Sequence, residues 1–186
     1  MYNRIINSNI NYRDLLCYKK AVVIYDLTYH FCSRFIDKKD RTYDQMVQAA
    51  RSGKQNIVEG VIDKESSFEM SLKLLNVARG SLKELQEDYV DYLRVRSLHI
   101  WAEDSKEVDY MRKMGVEYAD SDYYISLAES RSDETIANMV IVLLYQADTL
   151  LMCYIKSVED RFASEGGVKE KMYRLRTQVR SKSREE

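Results

Sequence analysis

Apolar residues recur along this chain at helical spacing. Leu15, Tyr18, Val22, Tyr25, Tyr29, Cys32 and Ile36 follow one another in steps of three and four, which keeps a single stripe on one helix face. The spacing predicts a first helix over 12–38, and the neighbouring row of Leu16, Val23, Leu27, Phe31 and Phe35 widens the stripe enough to meet two partner helices. After a polar break at 37–42, Met46, Ala50, Gly53, Ile57 and Gly60 predict a second helix over 42–61 with small residues on its seam, which lets helices approach closely. Ser66 and Glu69 have the spacing of a capping box and start a third helix, over 66–97, carrying Phe68, Leu72, Leu75, Ala78, Leu82, Leu85, Tyr89 and Tyr92. Ser132, followed by Asp133 and Glu134 where the helix dipole favours negative charge, starts a fourth over 133–160. Its apolar positions cover more than half the circumference, from Ile136 through Ile155.

The fold class expected is all-α: an up-down four-helix bundle with a helical segment inserted between helices 3 and 4 and a basic C-terminal helix. The bundle occupies 1–165, the insertion 98–132 and the tail 166–186. Within the insertion, Val108, Met111 and Met114 followed by Gly115 predict a short helix with a glycine stop, and 123–128 a second. The tail repeats helical spacing at Val168, Met172, Leu175 and Val179.

Composition agrees. The 186 residues contain no proline, against roughly 5% in average usage, and 45% are apolar, enough for one globular domain. Three widely spaced cysteines, Cys17, Cys32 and Cys153, each within an apolar pattern, point to reduced buried thiols rather than a disulfide framework. The first eleven residues lack a signal-peptide core. The stretch 136–155 approaches membrane-span length but contains Asn138, Gln146 and Asp148, so a core helix and a cytoplasmic protein with no membrane span are expected.

The 29 basic and 30 acidic residues average two opposite regions. The segment 97–131 has eight acids against four bases, whereas the tail has seven bases against three acids. Common catalytic patterns are missing: there is no Glu-x-x-His pair for a di-metal site, no phosphate loop and no nucleophile elbow. His30 and His99 are expected to be structural, and Glu84, Glu87, Asp88 and Asp91 to form a solvated face. Neither catalytic residues nor a cofactor or metal site is expected.

Two spaced motifs remain. Helix 2 carries Asn56-Ile57-Val58-Glu59-Gly60 and helix 3 carries Gly80-Ser81-Leu82-Lys83-Glu84-Leu85. In this order they resemble bacterial four-helix bundle proteins related to those encoded in intervening sequences of large-subunit ribosomal RNA genes. Tyr92 to Arg96, Trp101, the stretch 132–138 and Gly166-Gly167 with Tyr173 to Thr177 resemble the C-terminal suffix of a longer subgroup, so the likeness spans about 13–180. It is similar as well to the accessory proteins of diversity-generating retroelements, and that likeness implies a homopentamer and nucleic-acid binding through a basic surface. Read physically, Gly53, Gly60 and Gly80 allow close helix contact, and Asn56 and Glu59 cap backbone groups or accept from Ser81.

Two functions follow. One is a non-enzymatic, self-associating interaction scaffold. The other is a nucleic-acid-binding accessory protein contacting phosphates through Arg51 and Lys54 on helix 2 and Lys169, Lys171, Arg174, Arg176 and Arg180 on the tail. A pI near 6.2 departs from the strongly basic character of nucleic-acid-binding members and places the scaffold first. The tail's bases have two competing uses, gripping phosphate or pairing with the acidic segment, and its apolar row docks on its own bundle or on a neighbouring subunit.

Overall fold

The computed structural model describes residues 11–63 and 67–182. It is all-helical, 83% helix with seven α-helices and, among the described residues, no strand. In chain order these are α1 (Leu16–Phe35), α2 (Arg41–Asp63), α3 (Phe68–Val95), α4 (Lys106–Glu117), α5 (Ser121–Ala128), α6 (Asp133–Glu165) and α7 (Val168–Lys182). Four long helices pack in a cycle: α1 lies against α2 and α6, and α3 lies against the same two. The insertion folds back on this cycle, with α5 on α1 and α4 on α6.

Several expected boundaries move. The first helix does not begin at 12: Tyr12–Asp14 is a 3-10 turn capped by Asn11, and extended backbone at Leu15 separates it from α1. It ends at Phe35, because Ile36 returns to extended backbone before the turn at 37–40. Ser66 lies outside the described residues, and the cap of α3 is Ser67, whose hydroxyl accepts from the Met70 N–H at 3.2 Å. Gly115 does not stop α4, which runs on to Glu117. The fourth long helix is longer than its apolar stretch and ends at Gly166, whose φ of 73° suits a residue without Cβ. Its N-cap is the expected one, Ser132, accepting from Thr135 at 3.3 Å.

Val23, Leu27, Phe31 and Cys32 of the two expected rows on α1 are buried, but the buried face also takes in residues outside those rows and leaves several tyrosines out. Cys17, Lys20, Ala21, Ile24, Thr28 and Phe31 face the core, while Tyr18, Val22 and Tyr25 sit at its edge and Tyr29 is exposed. Tyrosines at an edge bury a ring and keep the hydroxyl wet, so they extend an apolar pattern beyond the true core. On the opposite wall, Phe31 packs its ring 5.0 Å from Tyr89 and 4.8 Å from Tyr92, and the Tyr89 hydroxyl donates to Thr28 at 3.1 Å. Every position from Ile136 to Leu144 on α6 is buried, since α1, α3 and α4 all pack on this helix.

Candidate functional site

The α2–α3 seam holds most of the motif residues. A Cβ at Gly53 would stand 2.6 Å from Leu82 Cδ2, and one at Gly60 would stand 2.9 Å from Leu75 Cγ and 3.1 Å from the Ser71 carbonyl. These two glycines are therefore sites of close helix approach. Ser71 Oγ donates to the Gly60 carbonyl at 2.6 Å, tying the two backbones together. Asn56 donates to the carbonyl and hydroxyl of Ser52, at 2.9 and 3.1 Å, and Ser52 Oγ lies 3.0 Å from Ser81 Oγ. The link from Asn56 to Ser81 thus passes through Ser52. Glu59 and Glu84 are exposed, the latter at the rim of a shallow polar depression with Arg41, Ser52, Ser81 and Asp88. Burial, with Asp91 and Glu84 nearby, raises the Asp88 pKa.

Gly80 departs from the expectation. Among the described residues nothing stands within 4 Å of where its Cβ would be, and the position is exposed, so no described helix needs the room. The thiols divide as well. Cys17 and Cys32 are buried, which pushes their pKa values up to about 11 and about 12, whereas Cys153 is exposed. His30 lies 3.1 Å from Arg34, and burial followed by that charge lowers its pKa. No group of three or more metal-ligating side chains occurs among the described residues.

The basic candidates fall in two places that the fold does not unite. Arg51 is exposed on α2, but the Lys54 ammonium stands 3.9 Å from the centroid of the Tyr25 ring and is engaged there. On α7, Arg174, Arg176 and Arg180 are exposed, and Lys169 and Lys171 belong to the same helix. α7 takes no part in the principal packing pairs, with the insertion or with any long helix. Met172 and Leu175 of the expected docking row, and Tyr173 beside them, are exposed, while the side chains of Val168 and Val179 lie outside the described ones.

A feature the sequence did not announce lies on the other side of the molecule. Between α1, α4 and α6, and flanked by the segment 100–103, is a cavity of about 790 Å³ that is open to solvent on one side. The insertion builds it. Asn138 of α6 accepts from the Trp101 N–H at 2.9 Å and donates to the His99 carbonyl at 2.8 Å, fixing the segment that leads into α4. Gln146 donates to the Arg112 carbonyl at 2.8 Å and holds α4 itself. Tyr124 on α5, fully buried, donates toward the Met114 and Tyr118 carbonyls at 3.0 and 3.1 Å, closing the end of α4.

Lys20 reaches into this cavity from α1. Its residue is only 4% exposed, yet its ammonium donates to the Gly115 carbonyl at 2.5 Å, one of the four at the end of α4 that lack a helical partner. The Tyr124 ring lies 5.9 Å away. Burial lowers the Lys20 pKa to about 8, so the group is still mostly charged at neutral pH. The available signal was its place in the chain: position 20 is one helical turn from Leu16, Cys17, Val23 and Ile24, a lysine within an apolar period. The polar interruptions of the α6 sequence have definite work as well. Asn138 and Gln146 hold the insertion, and Asp148 pairs with Arg79 at 2.5 Å and Lys83 at 3.5 Å. By length and composition α6 is long and apolar enough to cross a membrane, with 61% of its most apolar window buried within this fold. Compared with known proteins, the chain matches no family model, no curated protein and no solved structure.

Proposed function

We propose that this protein is a non-enzymatic helical scaffold that works by self-association: an up-down four-helix bundle of α1, α2, α3 and α6, with α4 and α5 inserted and α7 as its docking arm. The observation that carries this reading is α7. An amphipathic helix that exposes Met172, Tyr173 and Leu175 and takes no part in the principal helix pairs among the described residues leaves apolar side chains for another surface. The outer face of α3 supplies a second such set, with Met70 and Val77 exposed beside the open Gly80. A glycine that no described neighbour requires suits a site where another subunit's helix comes close. The resemblance of the two motifs adds membership of the intervening-sequence protein family and a pentamer to the proposal. The ion pairing of Asp148 near the middle of α6 favours a cytoplasmic protein over a membrane-spanning one.

Light scattering coupled to gel filtration tests this. At micromolar concentration the expected mass is a multiple of the 21.9 kDa chain, and the doubly substituted Met172→Glu, Leu175→Glu protein is expected to run as a smaller species. A wild-type monomer overturns the proposal. The second reading, phosphate contact through Arg51 and the exposed Arg174, Arg176 and Arg180, rests on their common exposure. It predicts binding to duplex DNA or structured RNA at low salt with a steep negative salt slope. No binding at about 50 mM salt removes it.

A further inference from the structure

We propose that the cavity between α1, α4 and α6 is a binding site for a small anionic amphiphile, a monocarboxylate with an aliphatic body, whose head group pairs with Lys20. This goes beyond the scaffold reading and stands apart from it. Two observations carry it.

The first is the space. A volume of about 790 Å³ falls within the roughly 300–1,000 Å³ typical of small-molecule sites. Its walls are mainly apolar, formed by Ile100, Trp101, Val108, Ile141 and Val142. It is open to solvent on one side, with the exposed Leu16, Val116 and Tyr145 among its lining, so a ligand has a way in.

The second is the charge balance. Apart from the phenol of Tyr145, four ionisable side chains line the cavity: Lys20, Arg112, Glu103 and Asp148. Arg112 pairs with Glu103 at 3.2 Å and Asp109 at 3.8 Å, and Asp148 with Arg79 and Lys83. None of the ion pairs among the described residues includes Lys20. The remaining neighbour is Tyr124 of α5, a phenol whose pKa burial raises to about 12, so it stays neutral. The cavity therefore presents one buried cation without an anion. An ammonium has three N–H donors, and one is directed at the Gly115 carbonyl. A carboxylate fits the others and supplies the missing charge, and a buried charge is strongly favoured to find such a partner.

Gln146 adds no further handle: its amide nitrogen is used on the Arg112 carbonyl, and its Oε1 is buried against Gly115, where even a Cβ would clash with it, so it holds α4 in place and does not face the ligand space. Cationic amphiphiles are disfavoured, since Lys20 repels them.

The experiment titrates the full-length protein with decanoate, decan-1-ol and decyltrimethylammonium, each below its micelle concentration, by calorimetry and by displacement of a fluorescent anilinonaphthalene sulfonate. Decanoate is expected to bind saturably, about tenfold or more tighter than decan-1-ol at pH 7, as one charge-assisted hydrogen bond provides. Decyltrimethylammonium is expected to bind no better than the alcohol. Raising the pH to about 10, where Lys20 is neutral, removes the preference for decanoate and leaves the alcohol unchanged. Lys20→Met, of similar length, has the same effect at pH 7, with helicity checked by circular dichroism. Equal binding of decanoate and decan-1-ol by the wild-type protein, a preference that survives at pH 10, or no saturable binding of decanoate overturns the proposal. These readouts need no variant, so a failure of Lys20→Met to fold leaves the proposal open to refutation.

Discussion

The two sides of this molecule are built on opposite terms. Along the α2–α3 seam, glycines bring backbones together, Ser71 bonds across to Gly60, and Ser52 joins Asn56 to Ser81, so the facing backbones are tied at close range. Between α1, α4 and α6 the helices stand apart around a cavity, with a buried ammonium lacking a counter-ion. What the seam leaves open is the shallow polar depression beside Ser52 and Ser81. The looser side, completed by an inserted segment rather than by a long helix, is where a small molecule has both room and a charge to meet.

Substitutions probe this contrast unequally. The largest effect is expected at the seam, where Gly53→Val forces a branched side chain against the buried Leu82 and destabilises by about 3 kcal/mol, measured by urea unfolding. The cavity side should respond in the other direction. A lysine whose pKa falls from 10.5 to about 8 on folding opposes folding by about 3 kcal/mol while it is charged. That penalty is fully present below about pH 8, lifts as the pH rises towards 10.5, and is absent above it, because the unfolded chain binds the proton more tightly throughout that window. Lys20→Met, after losing the bond to Gly115, is therefore expected to be about 2 kcal/mol more stable than wild type at pH 7, a gain that disappears above about pH 10.5. Equal seam and cavity responses would dissolve the contrast.

Smaller effects sharpen it. Asp148→Asn removes the pairing with Arg79 and Lys83 and should lower stability by about 1 kcal/mol at neutral pH. Burial alone raises the Asp148 pKa, but the Arg79 hydrogen bond and the two cationic charges outweigh it and hold the pKa below its usual value. Its contribution is accordingly present above about pH 4 and is lost as the pH falls through the folded-state pKa, which acid titrations of wild type and variant can compare. Gly80→Ala is expected to stabilise the isolated chain by about 0.5–1 kcal/mol, the reverse of Gly53→Val, since no described neighbour occupies the space. If the outer face of α3 meets another subunit, the same substitution lowers the oligomeric mass seen by light scattering.

Much of the architecture was legible because helical periodicity survives in the sequence whatever the helices pack against. The seam of Met46, Ala50, Gly53, Ile57 and Gly60 is buried as its spacing predicts, and the Ser132 cap forms as expected. On α1 periodicity placed Val23, Leu27, Phe31 and Cys32 correctly, but it counted amphipathic tyrosines as core and gave Lys20 no place there. It misread Gly115 as a stop and Gly80 as a close contact, since a glycine's neighbours are tertiary facts.

By itself, then, the sequence determined helix content, the seam and the opposed charges of insertion and tail, all of which depend on residue type and local spacing. Only the tertiary structure decided that the insertion folds back on α1 and α6 to form a cavity, and that a lysine from α1 ends inside it beside the last turn of α4. Lys20 and Gly115 are 95 residues apart, and the pairing of a buried cation with an orphan helix carbonyl exists only once the helices that carry them have packed.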